Sequence, residues 1–95
     1  MLYRHALGEV MREMRHSQQK TLRKVASDAN VALGYLSELE HGHKEASSEI
    51  VVQIARSLNV PTHLLVIEAG FRMAQLSIPD TVEAMFADDL TLAQS

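Results

Sequence analysis

Apolar residues recur at steps of three and four along most of the chain, with polar residues between them. This period predicts amphipathic helices rather than strands. We expect helices over about residues 5–16 and 22–29, a third that Gly42 ends, and two more over about 47–58 and 62–76, the first of these two capped by Ser47 or Ser48. Asp80 or Thr81 is expected to cap a last short helix that carries Val82, Met85, Phe86 and Leu90. The pattern therefore predicts an all-α fold.

Residues 21–42 hold two of these helices around a tight turn. Thr21 is expected to cap the first helix, because a threonine oxygen accepts a hydrogen bond from an unpaired amide in the first turn. Asn30 suits the turn that follows and is expected to have a positive φ, and Gly42 is expected to be left-handed. Two short helices joined in this way can place the second one in the major groove of DNA.

The second of these helices buries Leu36 and Leu39, which leaves an outward face that we call the base-contacting face. It consists of Leu33, Gly34, Tyr35, Ser37 and Glu38. Leucine packs on a thymine methyl, glycine lets the backbone approach the duplex, and a tyrosine hydroxyl reaches a phosphate or a base edge. Glu38 either accepts a hydrogen bond from a cytosine amino group or is a solvated charge. The alternative is that these residues are only exposed, or partly in the core.

The chain resembles the XRE family, the Cro and phage-repressor type of helix-turn-helix domain, over roughly residues 5–66. The matching residues are Thr21, Ala26, Glu40 and Gly42, followed by Ala55, Leu58 and Val60 in the fourth helix. Within that family the run LGYLSELEHGHKEASSEI is similar to the actinobacterial regulators of Clp protease genes, the ClgR type. The resemblance implies a five-helix lambda-repressor-like domain at residues 1–66 with a C-terminal helical extension at 67–95. It also implies activation of Clp protease and stress genes, with RNA polymerase and Clp protease as further partners.

Two features depart from the family pattern. His41 and His43 stand where arginine or lysine is common, and Ala32 stands where a capping serine is usual. Because histidine gains its charge on mild acidification, we expect DNA affinity to rise as the pH falls. The two histidines have no third ligand nearby in sequence, so we expect no metal site.

Basic and hydroxyl side chains around the two helices are candidate phosphate contacts: Arg15, Lys20, Thr21, Arg23, His41, His43 and Lys44. Each is alternatively an ordinary solvated group. Arg15 has a second interpretation, because an arginine at the matching place in phage-repressor domains pairs with the glutamate that closes the third helix, here Glu40. We favour the structural ion pair, and both roles are compatible.

Charge is unevenly distributed along the chain. The net charge of −3 argues mildly against a nucleic-acid partner, but residues 1–44 carry seven Lys and Arg against five Asp and Glu, and residues 45–95 carry two against seven. The net charges of these two segments are therefore +2 and −5, so the segment with the helix-turn-helix pattern carries a weak excess of basic residues, as a DNA-binding surface requires. The chain has no cysteine and no catalytic or phosphate-binding motif, so we expect neither an enzyme nor a cofactor. No signal peptide or membrane-spanning run is apparent, so a cytoplasmic protein without a membrane partner is expected.

The C-terminal third carries more apolar residues than a five-helix domain of this size uses. We expect a homodimer formed by Leu64, Ile67, Phe71, Val82, Met85 and Phe86, the alternative being a last helix folded onto its own core. Ile78 and Pro79 form a hinge through which that helix could be exchanged between subunits.

The sequence thus predicts a transcriptional regulator that binds double-stranded DNA at a pseudo-palindromic operator. The alternative function is a protein-binding module, such as an antitoxin or an adaptor, that retains the helix-turn-helix scaffold.

Overall fold

The computed structural model describes residues 1–74, and these form five helices without a strand. The helices are α1 (Tyr3–Ser17), α2 (Leu22–Ala29), α3 (Leu33–Glu40), α4 (Ser48–Ser57) and α5 (Thr62–Met73). The expected all-α fold is confirmed. Leu76 and the helix expected after Asp80 or Thr81 lie outside the described residues.

The expected start of α1 at residue 5 was two residues late. The helix begins at Tyr3, after Leu2 in an extended conformation, and the Leu2 carbonyl accepts hydrogen bonds from the amides of His5 and Ala6. No side chain caps this end. Because the start depends on backbone geometry alone, the sequence carried no polar capping signal for it.

Local chemistry bounds α2, ends α3 and begins α4 as expected. Thr21 Oγ1 accepts a hydrogen bond from the Lys24 amide at 3.0 Å, and Ser47 Oγ accepts one from Ile50 at 3.2 Å. Asn30 has a φ of 56° after α2, and Gly42 has a φ of 73° after α3. Thr21 and Asn30 therefore bound α2, Gly42 follows the end of α3, and Ser47 caps the start of α4.

One hydrophobic core joins the helices. α1 packs against α3 and α5, while α2 packs against α3 and α4. The largest fully buried side chains are Met11, Leu36, Leu39, Ile54, Leu58 and Leu65, with Val10 and Val25. α3 is thus held from behind by α1 and α2.

α5 continues past residue 66 without a break. Ala69 is buried in the same core, and Arg72 contacts Glu9 and Glu13 of α1. Packing against α1 therefore extends to the end of α5. Within residues 1–74 no single helix is long and apolar enough to cross a membrane. Only α4 and α5 together have the length and composition of a span, and they bend by 107° at the break between them.

Candidate nucleic-acid interface

The outward side of α3 carries the base-contacting face. Leu33 is 36% exposed, and Gly34 is exposed with no atom within 4 Å of the position that a Cβ would take. Tyr35, Ser37 and Glu38 are half-buried, whereas Leu36 and Leu39 lie in the core. The first turn of α3 is therefore the most accessible part of this face.

Tyr35 contacts the loop that follows α3. Its hydroxyl donates a hydrogen bond to the Glu45 carbonyl at 3.2 Å, and Lys44 Nζ lies 6.0 Å from the centre of its ring. The Tyr35 side chain also packs against the core. The tyrosine therefore holds the loop in place. To donate a hydrogen bond to a phosphate or a base, its hydroxyl would have to release the Glu45 carbonyl.

Glu38 lies beside the two histidines of the loop. His43 Nδ1 is 3.4 Å from Glu38 Oε2, and the rings of His41 and His43 stack with 5.8 Å between their centres. His41 Nδ1 lies 2.7 Å from the Ser37 carbonyl, which requires that this nitrogen carry the proton. A protonated His43 would compensate the charge of Glu38, which otherwise repels a phosphate.

Arg15 and Glu40 form a buried ion pair behind the base-contacting face. Arg15 Nε donates to Glu40 Oε2 at 2.8 Å and Nη2 donates to Oε1 at 2.9 Å, with the side chains 11% and 4% exposed. Nη1 donates to the Lys20 carbonyl at 3.0 Å. The hydrogen bonds with Glu40 raise the pKa of the guanidinium against the opposing effect of burial. Among residues 1–74 the one further polar neighbour of the guanidinium is His16 Nε2, 3.3 Å from Nη2. Because the side chain is only 11% exposed, little of this arginine is open to a phosphate.

The remaining candidate phosphate contacts differ in their surroundings. Lys20 is half-buried and donates from Nζ to the Ser57 carbonyl at 2.8 Å, at the end of α4. Thr21 and Arg23 are exposed at the start of α2, and no ion pair involves Arg23 among residues 1–74. Lys44 is exposed in the loop after α3. Arg23 and Lys44 are thus the candidate cations with the least competition from other groups.

Three residues that the sequence analysis did not single out hold this arrangement together. Arg4 donates from Nε to the Gly42 carbonyl at 3.0 Å and from Nη1 to Glu45 at 3.2 Å. Gln18 donates to the Leu58 carbonyl at the end of α4, at 2.6 Å. Gly8 lies against the backbone of the last turn of α3. Gly8 alone had a sequence signal, because glycine weakens a helix interior and needs a reason to be there.

The described domain has a small positive charge. Residues 1–74 carry nine Lys and Arg and eight Asp and Glu, which gives +1, so residues 75–95 carry the remaining −4 of the net −3. No cluster of three or more His, Asp or Glu residues that could hold a metal ion occurs in residues 1–74. The electrostatic attraction to DNA is therefore weak and falls on a few side chains.

Comparisons with known proteins agree with this geometry. The helix-turn-helix family profile matches residues 11–65. The transcriptional regulator ClgR of Mycobacterium tuberculosis is 49% identical over 74 residues, which are 78% of this chain and 66% of that protein's length. A crystal structure of the clp gene regulator ClgR from C. glutamicum superposes with a TM-score of 0.73 and 41% identity, over 77% of this chain and 95% of that one.

A more distant structure has the same fold. The restriction-modification controller protein C.AhdI from Aeromonas hydrophila is 19% identical, with a TM-score of 0.64 over 65% of this chain and 94% of that one. This match supports the fold alone, whereas the family profile and the two ClgR matches confirm the family resemblance described from the sequence.

Proposed function

Because this chain belongs to the helix-turn-helix family of transcriptional regulators, of the XRE and ClgR type, we propose that it binds a pseudo-palindromic operator as a dimer. The relatives are DNA-binding regulators rather than enzymes. The observation that carries the proposal is the position of α3, whose outward side is open while its last turn is fixed to α1. In such dimers the half-sites lie about 34–36 Å apart, one turn of DNA.

Base selection is proposed to depend on few directional contacts. The base-contacting face has no Arg, Lys, Asn or Gln, so its proposed contacts with bases are an apolar one from Leu33, hydrogen bonds with the hydroxyls of Tyr35 and Ser37, and one that the Glu38 carboxylate accepts. The phosphates would be bound by Thr21, Arg23, Lys44 and the two histidines. With few cations per subunit, non-specific binding is weak and a large share of affinity comes from having two subunits.

The dimer is proposed to form through α5 and the residues that follow it. Val66 and Met73 on α5 are 43% and 41% exposed, and Leu64, Ile67 and Phe71 are half-buried. This apolar surface supports an interface with a second copy. The other residues expected in it, Val82, Met85 and Phe86, lie outside the described part of the chain.

The target genes are proposed from the relatives. One of them is named as a clp gene regulator, and the similarity covers nearly all of that crystallised chain. We therefore propose that this chain activates Clp protease and stress genes, acting with RNA polymerase, and that Clp protease controls its abundance.

The decisive experiment selects bound duplexes from a random pool and footprints the product. A palindromic motif with half-sites one helical turn apart is expected. Arg23→Glu and Lys44→Glu should each weaken binding to the selected operator, whereas Arg56→Glu is a matched control on α4, which packs mainly against α2 and α5. If no duplex is enriched and the charge reversals leave cellular activity intact, the protein-binding module replaces this proposal.

A further inference from the structure

Gly8 of α1 lies directly against the backbone of the last turn of α3. A Cβ at Gly8 would lie 2.8 Å from the Glu40 carbonyl oxygen and 3.0 Å from its carbon, and closer still to the Leu39 carbonyl oxygen. These neighbours are all backbone atoms, so no side-chain rotation can make room. Gly8 therefore sets how near α1 and α3 can be.

Arg4 and Arg15 contact the same end of α3 from either side of Gly8. They are four residues before it and seven residues after it, so all three residues share one face of α1. Arg4 donates to the Gly42 carbonyl at 3.0 Å, and Arg15 donates to the Glu40 carboxylate. One helix face thus fixes the last turn of α3 and the glycine that ends it.

We propose that Gly8 and Arg4 are positioning residues for base selection, acting through the location of α3 rather than by touching DNA. This inference rests on the proposed function as a sequence-specific DNA-binding protein. Relieving the contact with Glu40 alone requires a shift of at least 0.6 Å, from 2.8 Å to the 3.4 Å of an ordinary contact, and Leu39 requires more. Binding groups generally have to be held within about 0.5 Å of their productive positions.

Gly8→Ala is the direct test, with affinity measured for the selected operator and for an unrelated duplex at the same salt concentration. The ratio of the two affinities is expected to fall at least tenfold. Alanine is the better helix former, so a purely local effect on α1 would raise the melting temperature, whereas the backbone clash should lower it. Both measurements are made at a temperature at which circular dichroism shows the variant to be folded.

Ile54→Val is the control for lost stability. Ile54 is fully buried on α4, so its truncation should lower the melting temperature without displacing α3. It should leave the ratio of operator to non-specific affinity within twofold of the parent. An equal fall of the ratio in both variants would show that the effect of Gly8→Ala is only one of stability.

Arg4→Gln is a second, milder variant that keeps the inference testable if Gly8→Ala does not fold. It removes the hydrogen bond from Nε to Gly42 and should lower the ratio about threefold or more. Glu45→Gln is its control, because it weakens the contact with Arg4 while leaving the Arg4–Gly42 hydrogen bond in place. It should leave the ratio unchanged.

These measurements distinguish failure of the proposed function from failure of the positioning role. A parent chain that shows no preference for any duplex refutes the proposed function and this inference with it. A parent chain that has a preference, retained within twofold by Arg4→Gln and by any folded Gly8→Ala, refutes the positioning role alone.

Discussion

Replacing Glu40 with alanine removes both carboxylate acceptors of the Arg15 guanidinium. Arg15 is 11% exposed and would keep its hydrogen bond to the Lys20 carbonyl, but Nε and Nη2 would lose their carboxylate acceptors and the charge would be left uncompensated. Removal of one partner from a buried pair typically costs about 3–5 kcal/mol. Domains of this kind have a total free energy of unfolding of about 5–15 kcal/mol, so the loss is a large fraction.

Thermal unfolding followed by circular dichroism measures this loss. In a domain of this size about 1 kcal/mol corresponds to roughly 4–8 °C, so Glu40→Ala should lower the melting temperature by at least about 12 °C. The double variant Arg15→Met/Glu40→Leu replaces the pair by apolar side chains and should recover most of the loss, because nothing charged is then left buried. Melting of Glu40→Ala within about 4 °C of the parent would contradict this reasoning, as would a double variant less stable than either single one.

Four further predictions concern separate parts of the molecule. Leu33→Ala should weaken binding to the selected operator more than to an unrelated duplex in a fluorescence titration; equal losses would remove Leu33 from the base-contacting face. Ala32→Ser should add about 1 kcal/mol to the free energy of unfolding in urea, because the extended backbone at this position suits an N-cap and no side chain caps α3 at present. Hydrogen bonding from Arg72 holds the pKa of Glu13 below its ordinary value of 4.5, so the pair stabilises the fold above that pH and is lost as the pH falls through the lowered pKa. Glu13→Gln should therefore lose less stability than the parent on acidification below pH 4.5, by a fraction of ~1 kcal/mol since the pair is exposed. Truncation after Ser77 should abolish the dimer in analytical ultracentrifugation and weaken operator binding, while the helical circular dichroism of the remaining domain persists.

The helix bounds that could be predicted are those set by neighbours in sequence. Thr21, Ser47 and Gly42 each act on atoms within three residues, so their chemistry is visible in the chain itself. The Arg15–Glu40 contact came from the family resemblance, since nothing local links residues that are 25 positions apart.

Contacts between distant segments could not be predicted in this way. Gln18 and Lys20 donate to the carbonyls of Leu58 and Ser57, and neither spacing nor composition connects these residues. These two side chains satisfy carbonyls at the end of α4 that have no partner within the helix. The need for such donors arises only once the backbone is folded. The charge of Lys20 is visible in the sequence, whereas the Ser57 carbonyl to which its Nζ donates is not, and the phosphate contact expected of Lys20 stays a prediction.

The contacts that hold α3 in place lie at its C-terminal end. Its last turn is held by Arg4, Gly8 and Arg15, whereas its first turn has no side-chain cap. At 1.5 Å per residue, Leu33 lies about 10 Å from the fixed end, so a tilt of about 10° moves it by roughly 2 Å. A shift of that size would lose an apolar contact with a thymine methyl as well as a hydrogen bond, because a gap of about 0.5–1 Å already forfeits about a quarter to a half of the dispersion energy. Glu38 sits within the last turn, where the helix moves least and a directional contact can persist.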